Sequence, residues 1–300
     1  MNRDSAKPGT GAVRPERRIG HVPGRIVPVG AALGFLLLSG CTEFPHYVDP
    51  WATDGRDGGG AVLTYPALMR IAAATQAGGN PSAAVGLFRR AAQVNTDAAA
   101  PLVGSGNALL EMGQVNEAII ALHGALERQP HDPEALRSLA KAYLETGRPS
   151  LAGAPLEVAF QDTPNDPKVL QLIGVADDFI GQHREAQERY RRGLELKPGD
   201  PALALNLALS LALTGNYDES VAALQPIATA PTAGPRERQT LALIYGLKGD
   251  RARAAQMARL DLDPASVDHN LAYYDTLRKL SPEARSRAIR SLGAGPTQSS

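Results

Sequence analysis

The 300 residues are 43% hydrophobic but only 5% aromatic, so alanine and leucine supply most of the apolar surface, which suits close helix packing better than a β-sandwich core. Acidic and basic residues balance at 31 each, but six basic and two acidic ones lie in the first 40 residues, leaving a net-acidic remainder with no electrostatic reason to seek nucleic acid. A single cysteine, Cys41, excludes an internal disulfide and any multi-cysteine metal site.

In chain order, residues 1–25 are polar and basic, Ile26 to Leu38 are apolar, and Leu38-Ser39-Gly40-Cys41 follows. That is the layout of a secretory signal peptide over residues 1–40. Its apolar run of 13 residues is shorter than the roughly 18 to 20 needed to cross a bilayer. The Leu-Ser-Gly-Cys ending resembles the bacterial lipobox, which implies cleavage before Cys41 and lipidation of its thiol. Two acyl chains with an amide-linked third hold a protein firmly on a membrane, whereas one chain binds only marginally. In enterobacterial lipoproteins an Asp after the cysteine resembles an inner-membrane retention signal; Thr42 stands there instead, so the resemblance leans towards the outer membrane, facing the periplasm. The long basic stretch leaves a later start at Val13 or Val22 open. Residues 41–64, with Pro45, Pro50 and the run Asp54 to Gly60, read as a flexible tether. The glycine cluster lacks the Gly-Lys-Ser/Thr ending of a phosphate-cradling loop.

From Tyr65 onward a period of 34 residues organises the chain. Gly79, Gly113, Gly147, Gly181, Gly215 and Gly249 recur at that interval. Five residues after each comes a small residue (Ala84, Ala118, Ala152, Ala186, Ser220, Ala254), and seven before each another (Ala72, Gly106, Ala140, Gly174, Ala208, Ala242). Small residues allow two antiparallel helices to approach closely. The periodic glycine fits the end of a first helix, where a left-handed residue is needed. Pro130-His131-Asp132-Pro133, Pro164-Asn165-Asp166-Pro167 and Pro198-Gly199-Asp200-Pro201 break one helix and start the next, with Asp as cap and Pro in the first turn.

This pattern resembles the tetratricopeptide repeat (TPR) family. The fold expected is all-α: a solenoid of six helix-turn-helix repeats over 65–268, a C-terminal capping helix over 269–292, and a disordered tail over 293–300. Three residues depart from the pattern near its end. Ala204 and Arg238 replace the leucines at Leu68, Leu102, Leu136 and Leu170, and Asp261 stands where Ala91, Ala125 and Ala159 stand, marking the capping end of the stack.

No catalytic set is legible, and neither a metal nor a cofactor is expected. The histidines (His21, His46, His123, His131, His183, His269) lack paired metal-ligand spacing and read as surface or capping residues. Gly104-Ser105-Gly106 is a helix-packing segment rather than a nucleophile elbow, and Asp177 and Asp178 read as a solvated or groove face. What the resemblance implies instead is a groove for protein or peptide partners, lined by Val103, Asn107, Arg137, Lys141, Gln171, Asp178 and Leu205. Arg137 and Lys141, one turn apart, would meet an acidic or C-terminal group, or else form a solvated face. The two-carboxylate clamp of chaperone-binding TPR domains is disfavoured: Asn107 stands at one of its positions, but Ser138 stands where an Asn is expected.

A narrower resemblance lies between 206 and 280. Asn206-Leu207-Ala208-Leu209-Ser210-Leu211-Ala212-Leu213-Thr214-Gly215, Pro235-Arg236-Glu237-Arg238-Gln239, Leu241 to Leu247, Arg259-Leu260-Asp261-Leu262 and His269-Asn270-Leu271-Ala272-Tyr273-Tyr274 are similar to the TadD family, TPR lipoproteins of the tight-adherence (Tad, Flp pilus) secretion machinery. Thr240 departs from the Asn often found there. The resemblance implies a membrane-anchored accessory that helps the outer-membrane secretin assemble or reach its membrane. The alternative is a periplasmic adaptor that collects peptidoglycan hydrolases.

Overall fold

A computed structural model of the protein describes residues 63–293, with side chains to Ile289. The signal peptide, the lipobox with Cys41, nearly all of the tether and the tail beyond Gly293 lie outside the described residues. Fourteen α-helices account for the described part. The first twelve pair into hairpins: α1 (Tyr65–Ala77) with α2 (Pro81–Val94), α3 (Ala100–Glu111) with α4 (Val115–Arg128), α5 (Pro133–Glu145) with α6 (Pro149–Asp162), α7 (Pro167–Phe179) with α8 (His183–Leu196), α9 (Pro201–Leu213) with α10 (Tyr217–Ala228), and α11 (Pro235–Lys248) with α12 (Arg251–Ala258).

The local signals act where the sequence places them. The side chains of Asp132, Asp166 and Asp200 each accept a backbone N–H in the first turn of the following helix, at 2.7, 2.8 and 2.9 Å. Proline takes the next position, where its missing N–H costs nothing. At α11 the aspartate is absent; Gly234 caps instead, its N–H donating to Glu237 Oε2 at 2.9 Å. Each first helix ends on its periodic glycine in the left-handed region, as at Gly147 with φ 68°.

The small positions decide how closely the hairpins close. A methyl group on Gly174 would stand 2.6 Å from the Tyr190 ring, and one on Gly106 would stand 2.7 Å from Leu122. Ala72, Ala140, Ala208 and Ala242 are fully enclosed, and the Ser220 hydroxyl, at the matching position of the partner helix, donates to the Ala208 carbonyl at 2.6 Å.

Beyond α12 the chain differs from the single capping helix expected. Asp263 caps a helix from Pro264, α13 (Pro264–Lys279), so it begins before residue 269, and Ser281-Pro282 then breaks the chain and starts α14 (Pro282–Gly293). The physical reason is the same cap-plus-proline signal that separates the repeats. α13 packs on α11 and α12, and α14 packs on α13 and returns to α9. Two of the departures from the repeat, Arg238 and Asp261, are each other's partners: the guanidinium reaches both carboxylate oxygens, with Nε at 3.1 and 2.9 Å.

Candidate protein-binding groove

The first helices of successive hairpins, α1, α3, α5, α7, α9 and α11, lie side by side and form one face of the stack. Two registers run along this face at the 34-residue period. One reads Asn107, Lys141, Val175, Leu209, Leu243; the other reads Glu111, Glu145, Phe179, Leu213, Leu247. Both pass from polar to apolar, and exposure follows. The residues on α3, α5 and α7 keep solvent contact, whereas Leu209, Leu213, Leu243 and Leu247 are at most 6% exposed. They share one buried cluster with Val267, Leu271 and Tyr274 of α13 and Ile289 of α14. The C-terminal helices thus close the apolar half and leave the polar half open.

This corrects the groove read from the sequence. Leu205 is 0% exposed and belongs to the closed core, and Val103 is buried at 4%, so neither can meet a partner. Gln171 is half-buried on α7. Asn107, Arg137, Lys141 and Asp178 are half-buried also, but three of them are already engaged. Asn107 donates to Glu134 Oε1 and accepts from the Ser138 hydroxyl, both at 2.6 Å. Ser138 therefore fixes the orientation of Asn107 rather than forming a clamp with it. Arg137 Nη1 donates to Asp166 Oδ2 at 3.1 Å, tying α5 to the cap of α7.

Asp178 is a hub between three helices. Its Oδ1 meets His183 Nδ1 and the Ser210 hydroxyl, each at 2.7 Å, and its Oδ2 accepts from Tyr190 Oη at 2.9 Å. Burial, followed by the Asp178 charge, holds the Tyr190 phenol well above its ordinary range. Neighbouring Asp177 is pushed up to about 6, mainly by burial. With its oxygens in use, Asp178 joins α7, α8 and α9 rather than reaching for a ligand. Two other histidines find partners as well: His123 sits 2.7 Å from Tyr143 Oη, and His131 Nδ1 sits 2.8 Å from Asp162.

Lys141 and Glu145, one turn apart on α5, are the charged groups placed to act. Burial lowers the Lys141 ammonium, against the opposing pull of Glu145 and Glu111. Burial also pushes the Glu145 carboxyl up to about 7. Glu145 Oε1 is enclosed without a hydrogen-bond partner, a costly state that a donor from outside would relieve. Spacing alone does not mark Glu145 as a groove residue, since its signal is the loss of water around it. Among the described residues no group of three His, Cys, Asp or Glu could hold a metal ion.

Two tetratricopeptide-repeat family models match residues 103–167 and 181–236. The described helices carry tetratricopeptide repeats and form a TPR-type solenoid. Its fold is similar to a TPR protein from Parabacteroides merdae ATCC 43184 (TM-score 0.58, 14% identity, covering 78% of this chain and 86% of that one). It is also similar to Pseudomonas aeruginosa PilF (TM-score 0.58, 19% identity, 70% and 97%). A thermophilic TPR protein of Thermus thermophilus shares the fold too (TM-score 0.53, 21% identity, 60% and 98%). No curated protein matches the sequence. In TPR stacks the face of the first helices is the concave one on which protein partners dock, and here its open part runs over α3, α5 and α7.

Proposed function

We propose that this TPR protein is a membrane-anchored scaffold that grips a segment of another protein in the open half of its groove. Its task is then to assist assembly or outer-membrane localisation of a Tad/Flp-type pilus secretion apparatus, with the secretin as the partner. The observation that carries the protein-binding part is the change of character along the two groove registers. An enclosed, unpartnered carboxylate oxygen at Glu145 and a desolvated ammonium at Lys141 stand where the face is open, next to half-buried Val175 and Phe179. A docking segment would supply apolar contact to the latter pair and hydrogen bonds to the former.

The pilus part rests on the resemblance of residues 206–280 to the TadD family and on the lipobox that ends at Cys41. A lipid anchor would concentrate the groove at the membrane where the partner is delivered, raising its effective concentration without any new contact. The test is affinity capture of the lipidated protein from native cells after mild crosslinking, with Cys41→Ser as control. Recovery of a secretin and other pilus-assembly components, lost or mislocalised in Cys41→Ser, is the expected result. Recovery of peptidoglycan hydrolases in their place, or normal secretin multimers and pili after deletion of the gene, would overturn the pilus assignment.

A further inference from the structure

The charges on the open half of the groove do not suit the acidic partner that Arg137 and Lys141 suggest together. Arg137 is held by Asp166, which leaves Lys141 as the basic group on this part of α5. Glu111 of α3 and Glu145 of α5 both act on its ammonium. Glu111 Oε1 accepts from Gln76 Nε2 of α1 at 2.6 Å, whereas Glu145 Oε1 has no partner. These two carboxylates are the last residues of their helices, and none of α3, α5 and α7 has a basic residue in its last turn. Each carboxylate therefore stands at the electronegative end of its own helix, where a cation is favoured and an anion is not. The other charged groups near this rim are engaged. Arg148, in the turn after α5, lies 5.6 Å from the Tyr143 ring centroid and donates from Nε to Thr146 at 2.8 Å. Asp178, in the last turn of α7, is met by His183, Tyr190 and Ser210. Lys168 stands in the first turn of α7, at the opposite end of the face.

The rim formed by the ends of α3, α5 and α7 thus sets two carboxylates against one ammonium, beside an apolar pair. Phe179 shares the register of Glu111 and Glu145, Val175 shares that of Lys141, and both are half-buried. Packed helices lie about 8 to 10 Å apart, so a segment crossing the rim meets the carboxylates first and Phe179 one helix further on. The enclosed atom that lacks a partner is an acceptor, Glu145 Oε1, while Lys141 keeps solvent contact. Glu145 as a whole is half-buried, so turning its side chain brings that oxygen to the groove surface. We propose that the occupant of the open groove is a basic amphipathic segment of the partner protein. An arginine or lysine of that segment pairs with Glu145 and Glu111, and its large apolar residues cover Val175 and Phe179. This occupant rests on the reading of the open groove as a docking site. Opposite charge at a partly desolvated rim attracts the right segment and rejects an acidic one or a free C-terminal carboxylate.

The experiment incubates the purified full chain with a soluble library of random dodecapeptides and sequences the retained peptides by mass spectrometry. Retained peptides should be enriched in arginine or lysine close to leucine or phenylalanine. Resynthesised binders should lose at least about tenfold in affinity to Glu145→Lys and to Phe179→Ser, measured by fluorescence anisotropy. Exchanging the selected basic residue of a binder for glutamate should restore binding to Glu145→Lys and abolish it on the unaltered chain. A fold defect cannot mimic that coupling. If circular dichroism shows Glu145→Lys unfolded, Glu111→Lys, at an exposed position, takes its place with a loss of about threefold. Enrichment of acidic peptides, or of binders that need their free C-terminal carboxylate, would overturn the charge assignment; loss of these binders in Phe179→Ser would leave the groove reading standing. Binders indifferent to both Glu145→Lys and Phe179→Ser, or no enrichment at all, would overturn the two readings together.

Discussion

Asp261 accepts hydrogen bonds from Arg238 Nε and Nη2 and from Gln239 Nε2, the last at 3.0 Å, and these hold its carboxyl below the usual carboxylate range, with Arg238 the largest influence. In the third repeat the same two positions carry Leu136 and Ala159, which pack together in one apolar cluster. The last hairpin has thus exchanged an apolar contact for an ion pair, with side chains 21% and 9% exposed. Removing one partner strands the other. Asp261→Ala should cost about 2 kcal/mol in urea unfolding. Arg238→Leu combined with Asp261→Ala, which restores the earlier pattern, should recover most of that loss. A double variant no better than Asp261→Ala would show that the pair is not the unit of stability.

The Glu145 carboxyl titrates at about 7 in the folded chain against an ordinary value of 4.5. The folded state therefore holds more protons than the unfolded state between those values. Stability contributed by this group is present below about pH 4.5 and is lost as pH rises to about 7. Glu145→Gln should remove that slope and make the protein more stable near pH 8 by about 1 to 2 kcal/mol, since an amide needs no charge buried. Asp177, raised to about 6, contributes a slope of the same sign that remains in the variant. Urea midpoints across the range from pH 5 to about 8 measure it; an unchanged slope in Glu145→Gln would contradict the burial of this carboxyl.

Two glycines should fail for different reasons. Gly174→Val drives a side chain into Tyr190, whose ring lies 2.6 Å from the position of the first added carbon, and should cost about 2 to 3 kcal/mol by overpacking. It should also loosen the Tyr190 to Asp178 hydrogen bond. Gly147→Ala meets nothing within 4 Å, but its φ is 68°, so its cost should be about 1 kcal/mol of backbone strain. Thermal unfolding of the pair separates the two causes; equal costs would contradict the assignment of Gly174 to helix contact.

The repeat is legible because its signals are local. A left-handed glycine, an Asp cap and a proline act within a few residues, so reading them requires no knowledge of what the hairpins pack against. The same signals stand at Asp263-Pro264 and Ser281-Pro282, yet the single terminal helix expected over 269–292 ignores both and begins too late. Leu205 falls in the expected groove because its register is that of Arg137 and Gln171. Its burial depends on how α9 sits in a core that extends from α9 to α14, which no local pattern reports. The run of leucines at 209, 213, 243 and 247, set against Asn107, Lys141, Glu111 and Glu145, is the available sign that the far half of the face is covered. Arg238 and Asp261 are each visible as departures; their pairing is not, because two departures in one repeat can compensate each other only once the helices are packed.

The most direct test of the central claim, that this protein holds partners through the open half of its first-helix face, is site-specific photocrosslinking in cells. A photoreactive residue at Gln171 or Lys141 samples the open groove, and one at Glu157, exposed on α6, samples the second-helix side. A discrete crosslinked protein from Gln171 and Lys141 that is absent from Glu157 is the result expected. Crosslinks of equal yield from all three positions, or from Glu157 alone, would contradict it.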